Sequence, residues 1–115
     1  MHELGIVFHI LKEAEDVAKA NNVSEISAVV LDIGEVSGIV NDYLVDCWNW
    51  ARKKTDALKE AELKINVVNA KTFCEDCKKE YNTVRYGKVC PYCKSGRTYL
   101  ITGNETIIKE LQVKN

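Results

Sequence analysis

Apolar residues recur along the first twenty positions with the period of a helix. Ile6, Val7, Ile10, Leu11, Ala14, Val17 and Ala18 form one stripe, and Lys12, Glu13, Asp16 and Lys19 lie away from it. The spacing predicts an amphipathic helix over 4–20. Asn21-Asn22 can end it, because asparagine tolerates the left-handed turn of a helix C-terminus. The pattern then changes. Residues 26–33 are apolar at most positions and rich in Val and Ile, as in a strand covered on both faces, and Gly34 stops the run. Asn41 or Asp42 can cap a second helix reaching about Lys54, with Leu44, Cys47, Trp48, Ala51 and Leu58 as its buried stripe. Residues 62–68 alternate, with Leu63, Ile65 and Val67 opposite Lys64 and Asn66, which is the period of a strand.

Short β signals follow around Phe73, Tyr81 and Tyr99-Leu100-Ile101. Gly103-Asn104 makes a turn, and Ile107, Leu111 and Val113 share one face of a last strand. That strand has too little company in the preceding segment to be stable alone. It is expected to pair with 26–33 and 62–68. The fold class is then α/β (α+β), with two helices on a small three-stranded sheet and an inserted module. The domains expected are 1–70, completed by a C-terminal strand at 105–114, and an insert at 71–103.

At 115 residues and 46% apolar content, the chain supports a modest core in one domain, or one domain carrying an insert. No apolar run approaches the roughly 20 residues of a membrane span. The opening lacks the basic region and cleavage site of a secretory signal. The net charge of -1 hides a split: residues 71–99 carry +4 and the remainder -5.

Four of the five cysteines stand in two pairs, Cys74-Glu75-Asp76-Cys77 and Cys90-Pro91-Tyr92-Cys93, twelve residues apart. Two C-x-x-C knuckles at this distance can bring four thiolates onto one tetrahedral ion, and zinc suits four soft sulfurs best. The insert is then a zinc-ribbon-like module. A closed four-cysteine set leaves no open coordination position, so its default role is structural. An odd cysteine count with metal spacing argues for reduced thiols and a cytoplasmic home. Zinc with four thiolates lowers the insert to a formal +2, too little to predict nucleic-acid binding from charge.

The second candidate site is the N-terminus: Met1, His2 and Glu3. The bulk of His2 should keep Met1 in place. The free amine, the His2 backbone nitrogen and the His2 Nδ1 are linked through short chelate rings. Such nitrogens suit Ni(II) or Cu(II) in a square-planar or tetragonal field, with the Glu3 amide or carboxylate completing the plane.

A chain opening Met-His-Glu into an amphipathic helix, with a late C-x2-C-x12-C-x2-C ribbon, resembles the HypA/HybF family of hydrogenase nickel-incorporation proteins. Ile33-Gly34-Glu35, Cys90-Pro91-Tyr92-Cys93 and Gly103-Asn104-Glu105 add to the resemblance, which runs over essentially the whole chain. It implies a nickel metallochaperone, not an enzyme. One part would be an N-terminal domain binding nickel through His2, nearby backbone nitrogens and Glu3. The other would be a domain holding structural zinc on Cys74, Cys77, Cys90 and Cys93. Implied partners are the GTPase HypB, the [NiFe]-hydrogenase large-subunit precursor and urease maturation proteins. No nucleic acid or membrane is expected, and a homodimer is left open. Some family members place a carboxylate on the loop after the Gly-Glu turn; here Asp42 is the residue that would have to reach.

Other residues carry less. His9 lies two helical turns after His2 and reads as a surface or half-buried histidine. Cys47 reads as a small core hydrophobe. Trp48 and Trp50 must point to different sides of their helix, one into the core and one toward a partner. Tyr81, Tyr86, Tyr92 and Tyr99 are expected to shield the metal. Asp32 and Glu35 at the strand end read as solvated carboxylates. The rival readings are a zinc-ribbon nucleic-acid or transcription module and a redox protein using the C-x-x-C pairs.

Overall fold

The computed structural model of the chain describes residues 3–114. Helix α1 spans Glu3–Ala20 and buries Glu3, Val7, Ile10, Leu11, Ala14 and Ala18. Its outer face carries Lys12–Asp16 and Glu15–Lys19 pairs at i,i+4 spacing. The helix ends where the asparagines stand. Asn22 takes φ 55, the Val23 amide donates to Ala18 O at 2.8 Å and the Asn22 amide to Lys19 O at 3.3 Å. This is a Schellman turn, with asparagine at the left-handed position. Val17, expected in the buried stripe, is instead 44% exposed at its margin.

Strand β1 (Ile26–Gly34) is the centre of a three-stranded sheet ordered β2-β1-β6, with β2 at Glu62–Val68 and β6 at Thr106–Val113. Among the described residues the last strand therefore pairs with β1 alone. Hydrogen bonds from Gly34 N to Glu105 O and from Lys114 N to Glu25 O run it antiparallel. Its apolar positions are not a buried face, since Ile107 and Val113 are 55% and 46% exposed. Val67 of β2 is also exposed, while Leu63 is buried. Both strands lie at sheet edges, where burial is shallower than on the central strand.

Helix α2 (Asn41–Ala51) buries Leu44, Cys47, Trp48 and Ala51, and two 3₁₀ turns at Arg52–Lys54 and Asp56–Leu58 extend it. Trp48 is fully buried, and its indole N–H donates to Ala61 O at 2.9 Å. Trp50 is 56% exposed, meets Phe8 edge-on and lies under the Lys54 ammonium. Neither Asn41 nor Asp42 caps this helix. Val40 occupies the N-cap with no side-chain cap of its own. A carboxylate from another helix serves instead: Glu3 Oε2 accepts from Val40 N at 3.0 Å.

The chain divides into two compact units. One holds the described parts of Met1–Asp32, Gly38–Asn66 and Ile107–Asn115; the other holds Ile33–Ser37 and Val67–Thr106. The second contains a small sheet ordered β4-β3-β5, from β3 (Lys71–Cys74), β4 (Glu80–Asn82) and β5 (Thr98–Thr102), both pairings antiparallel. A one-turn helix α3 (Thr83–Tyr86), too short to read from periodicity, follows β4 and is capped by Asn82 Oδ1 accepting from Arg85 N. No helix among the described residues is long and apolar enough to cross a membrane.

Candidate metal centre

The two knuckles are built alike. In the first, Cys74 N donates to Lys79 O and Lys78 N to Cys74 O; in the second, Cys90 N donates to Ser95 O and Lys94 N to Cys90 O, all at 2.9 Å. At the same offset in each, Lys78 and Lys94 take φ 61 and φ 66. That left-handed residue turns the chain back after the second cysteine. With it in place, two sulfurs from each knuckle converge on the same point.

The four Sγ atoms lie within 4.8 Å of one another. Cys74 and Cys93 sulfurs are 3.5 Å apart, and those of Cys77 and Cys90 are 3.6 Å apart. Zinc–sulfur bonds of about 2.3 Å place tetrahedral ligands about 3.8 Å apart, so the tetrad is near the size a zinc ion needs. No disulfide joins any of them. Cys74 and Cys90 are fully buried and pack with Tyr81, whose hydroxyl donates to Gly87 O at 2.8 Å. The shielding expected of the tyrosines thus belongs to Tyr81, while Tyr86, Tyr92 and Tyr99 are exposed.

The metal-free thiols are unequal. Burial pushes Cys90 up, but hydrogen bonds from the Cys93 and Tyr92 amides outweigh it and bring its pKa to about 7. For Cys93 the Ser95 amide pulls down, yet burial and the neighbouring sulfurs raise it to about 12. Cys77 is raised by burial and by its contact with Cys90. Four sulfurs this close cannot all ionise without a cation among them.

A clamp joins the two knuckles outside the sulfur cluster. Asp76 accepts from Arg97 Nη1 at 2.7 Å and from the Ser95 hydroxyl, Arg97 also reaches Glu75, and Glu75 N donates to Arg97 O. Sequence reasoning missed these residues. The lysine shared at the fifth position of Cys74-Glu75-Asp76-Cys77-Lys78 and Cys90-Pro91-Tyr92-Cys93-Lys94 marks the left-handed turn of each knuckle, not the clamp.

His2 lies outside the described residues. Glu3 is only 2% exposed, and its carboxylate sits at the start of α2. Asp42 is exposed in the first turn of α2, and His9 is exposed beside Glu13 at 3.4 Å. Cys47 is a core residue of α2. Among the described residues, only the four cysteines converge as a group able to hold a metal. Asp32 and Glu35 are not merely solvated: Asp32 accepts from Asn66 Nδ2 and Glu35 from Ala70 N, each at 2.8 Å.

Residues 1–113 match the family model described as hydrogenase/urease nickel incorporation, metallochaperone, HypA. The chain belongs to the HypA family. It is 35% identical over 114 residues to the hydrogenase maturation factor HypA of Aquifex aeolicus (strain VF5), covering 99% of this chain and 98% of that protein. The HypA of Geotalea uraniireducens (strain Rf4) is 33% identical, at 99% and 100% coverage. Among solved structures, the Ni metallochaperone HypA from Helicobacter pylori superposes with a TM-score of 0.74 at 29% identity, covering 98% of this chain and 97% of that one. A second HypA solution structure gives 0.76 at 30% identity, covering 99% and 97%. The HypA family comprises metallochaperones, not enzymes, and this member carries the four-cysteine cluster in full.

Proposed function

We propose that this HypA-family chain carries Ni(II) at its N-terminus and passes it on for [NiFe]-hydrogenase maturation, while Cys74, Cys77, Cys90 and Cys93 hold a structural zinc. Family membership across residues 1–113, a span that includes the Met-His-Glu opening, is the observation that carries this reading. The chemistry of the donor set supports the division of labour. Four thiolates bind tightly and leave no open position, which suits a permanent site. Nitrogen donors at a chain terminus bind a divalent ion and also release it, as a carrier must.

The nickel ligands we propose are the Met1 amine, the His2 amide nitrogen, His2 Nδ1 and the Glu3 amide. The Glu3 carboxylate is engaged with Val40 N. Its part is therefore to anchor the start of α1 against the N-terminus of α2, where its negative charge also meets the helix dipole. Nickel is the cargo. It leaves by ligand exchange with the recipient, or when His2 takes a proton.

We assign the nickel role to the α/β part, 1–70 with 105–114, and the zinc role to 71–103. The partners proposed are the GTPase HypB, the hydrogenase large-subunit precursor and urease maturation proteins, met in the cytoplasm. Replacement of His2 by Ala tests the site. Nickel binding should be lost while zinc content and helix content stay unchanged; unchanged nickel binding would sink the assignment.

A further inference from the structure

Four large apolar side chains stand exposed along the seam of α1 and α2, within the first compact unit. Leu4 and Phe8 lie one turn apart on α1, and Tyr43 and Trp50 two turns apart on α2, so each pair shares a helix face. Their exposures run from 41% to 56%. Phe8 and Trp50 join the helices at one end of the seam, ring centres 6.4 Å apart and edge to face. At the other end the Glu3–Val40 hydrogen bond ties the two helix starts together, and Leu4 and Tyr43 share that end. With roughly 100 Å² left uncovered on each, the four make an apolar patch of about 400 Å². Single exposed hydrophobes are ordinary, but a patch of that size marks an interaction surface.

The two ends of the patch carry opposite charge. Asp42 and Asp46 are exposed at the Tyr43 end. Lys53 and Lys54 are exposed at the Trp50 end, where the Lys54 ammonium lies 4.4 Å from the centre of the Trp50 ring. Among the described residues none of these four forms an ion pair. The helix dipole accounts for aspartate at the start of α2. It does not account for aromatic rings left uncovered between the two charged ends.

An apolar centre with opposite charges at its ends is self-complementary: a second copy turned about a two-fold axis matches it at every point. We infer that two copies of this chain pair through the α1–α2 face, with their α2 helices antiparallel. Asp42 and Asp46 of one copy meet Lys53 and Lys54 of the other, twice over, and Trp50 of one packs on Tyr43 of the other. Antiparallel pairing also sets the two helix dipoles favourably. The apolar patch is about half the roughly 800 Å² per partner of a standard interface, so the dimer is weak, forming at roughly tens of micromolar chain. The pairing uses none of the proposed nickel ligands and is independent of that reading.

Sedimentation velocity of the untagged, zinc-loaded full chain, from about 1 to 500 µM, tests this. The chain should pass from monomer to dimer across that range. Trp50→Ala should weaken pairing at least about 30-fold. Lys53→Glu with Lys54→Glu makes both ends of the patch acidic, and Asp42→Lys with Asp46→Lys makes both basic. Each double variant alone should stay monomeric, with zinc and helix content unchanged, because like charges meet at both ends. Mixed in equal amounts, the two should pair with each other, since acidic ends then meet basic ones. That rescue would also exclude misfolding as the cause of the loss. A chain that is monomeric throughout would leave this face to a different protein and overturn the inference. So would a dimer of undiminished strength in Trp50→Ala or in either double variant, or a mixture that stays monomeric.

Discussion

Gly34 and Gly103 approach so closely that a Cβ placed on Gly34 would fall 1.9 Å from the Gly103 carbonyl oxygen. That same oxygen accepts from Val36 N at 2.8 Å. Gly103 has φ +112, and a Cβ there would lie 2.4 Å from Ala70 Cα. Three backbone segments meet at this point. Two of their amides are satisfied by carboxylates: Glu35 accepts from Ala70 N at 2.8 Å and Glu105 from Gly103 N at 2.7 Å. The runs Ile33-Gly34-Glu35 and Gly103-Asn104-Glu105 are therefore one structural feature, the foundation of the cysteine-bearing unit.

Gly34→Ala should accordingly destabilise the protein by about 3 kcal/mol or more, because backbone and not a flexible side chain blocks the methyl group. Chemical denaturation of the zinc-loaded protein reads this. A loss below about 1 kcal/mol would mean that the junction relaxes easily.

Asp76→Ala should cost about 1 kcal/mol and speed zinc loss to a chelator severalfold. The Arg97 side chain is 69% exposed and that of Asp76 38%, so solvent screens the ion pair and a larger effect is not expected. The effect should be mirrored by Arg97→Ala and be non-additive with it, since both remove the same clamp.

Lys78 and Lys94 hold left-handed conformations that cost a side-chain-bearing residue about 1 kcal/mol, while glycine loses more freedom on folding, which offsets part of the gain. Lys78→Gly and Lys94→Gly should each stabilise the zinc-loaded protein by a few tenths to about 1 kcal/mol. Paired thermal melts would show it as a small rise in Tm for both variants.

Zinc affinity should fall as pH falls, because the metal binds thiolates and acid protonates them. With Cys90 at about 7, Cys93 at about 12 and Cys77 raised by burial, Cys77 and Cys93 hold their protons at neutral pH while Cys90 is near its midpoint. Zinc uptake must then release protons, and more of them at pH 6 than at pH 8, as Cys90 titrates between. Competition with a chelator whose own pH dependence is known, together with proton release in two buffers, measures both quantities.

Periodicity was enough to find α1, β1, α2 and β2, because each has a buried stripe or an apolar run. Asn21-Asn22 announced the end of α1 through the left-handed tolerance of asparagine. The tetrad was legible from spacing, since C-x-x-C geometry is local. The cap of α2 was not legible, because it is Glu3, thirty-seven residues from Val40, and no local pattern reports a tertiary partner. The exposure of Ile107, Val113 and Val67 was hidden for a related reason. Alternation shows which side chains share a face, but only the strand order shows that β6 and β2 lie at edges. Asp76 and Arg97 were missed because a charged pair on a surface looks like any solvated charge until the fold brings it together.

The most direct measurement is a nickel titration of the untagged chain beside a version extended by a few residues before Met1. The extension removes the free amine as a ligand yet keeps His2 and the four cysteines. Nickel binding should be lost, or weakened by orders of magnitude, with zinc content unchanged. Equal nickel binding by the two proteins would contradict an N-terminal site.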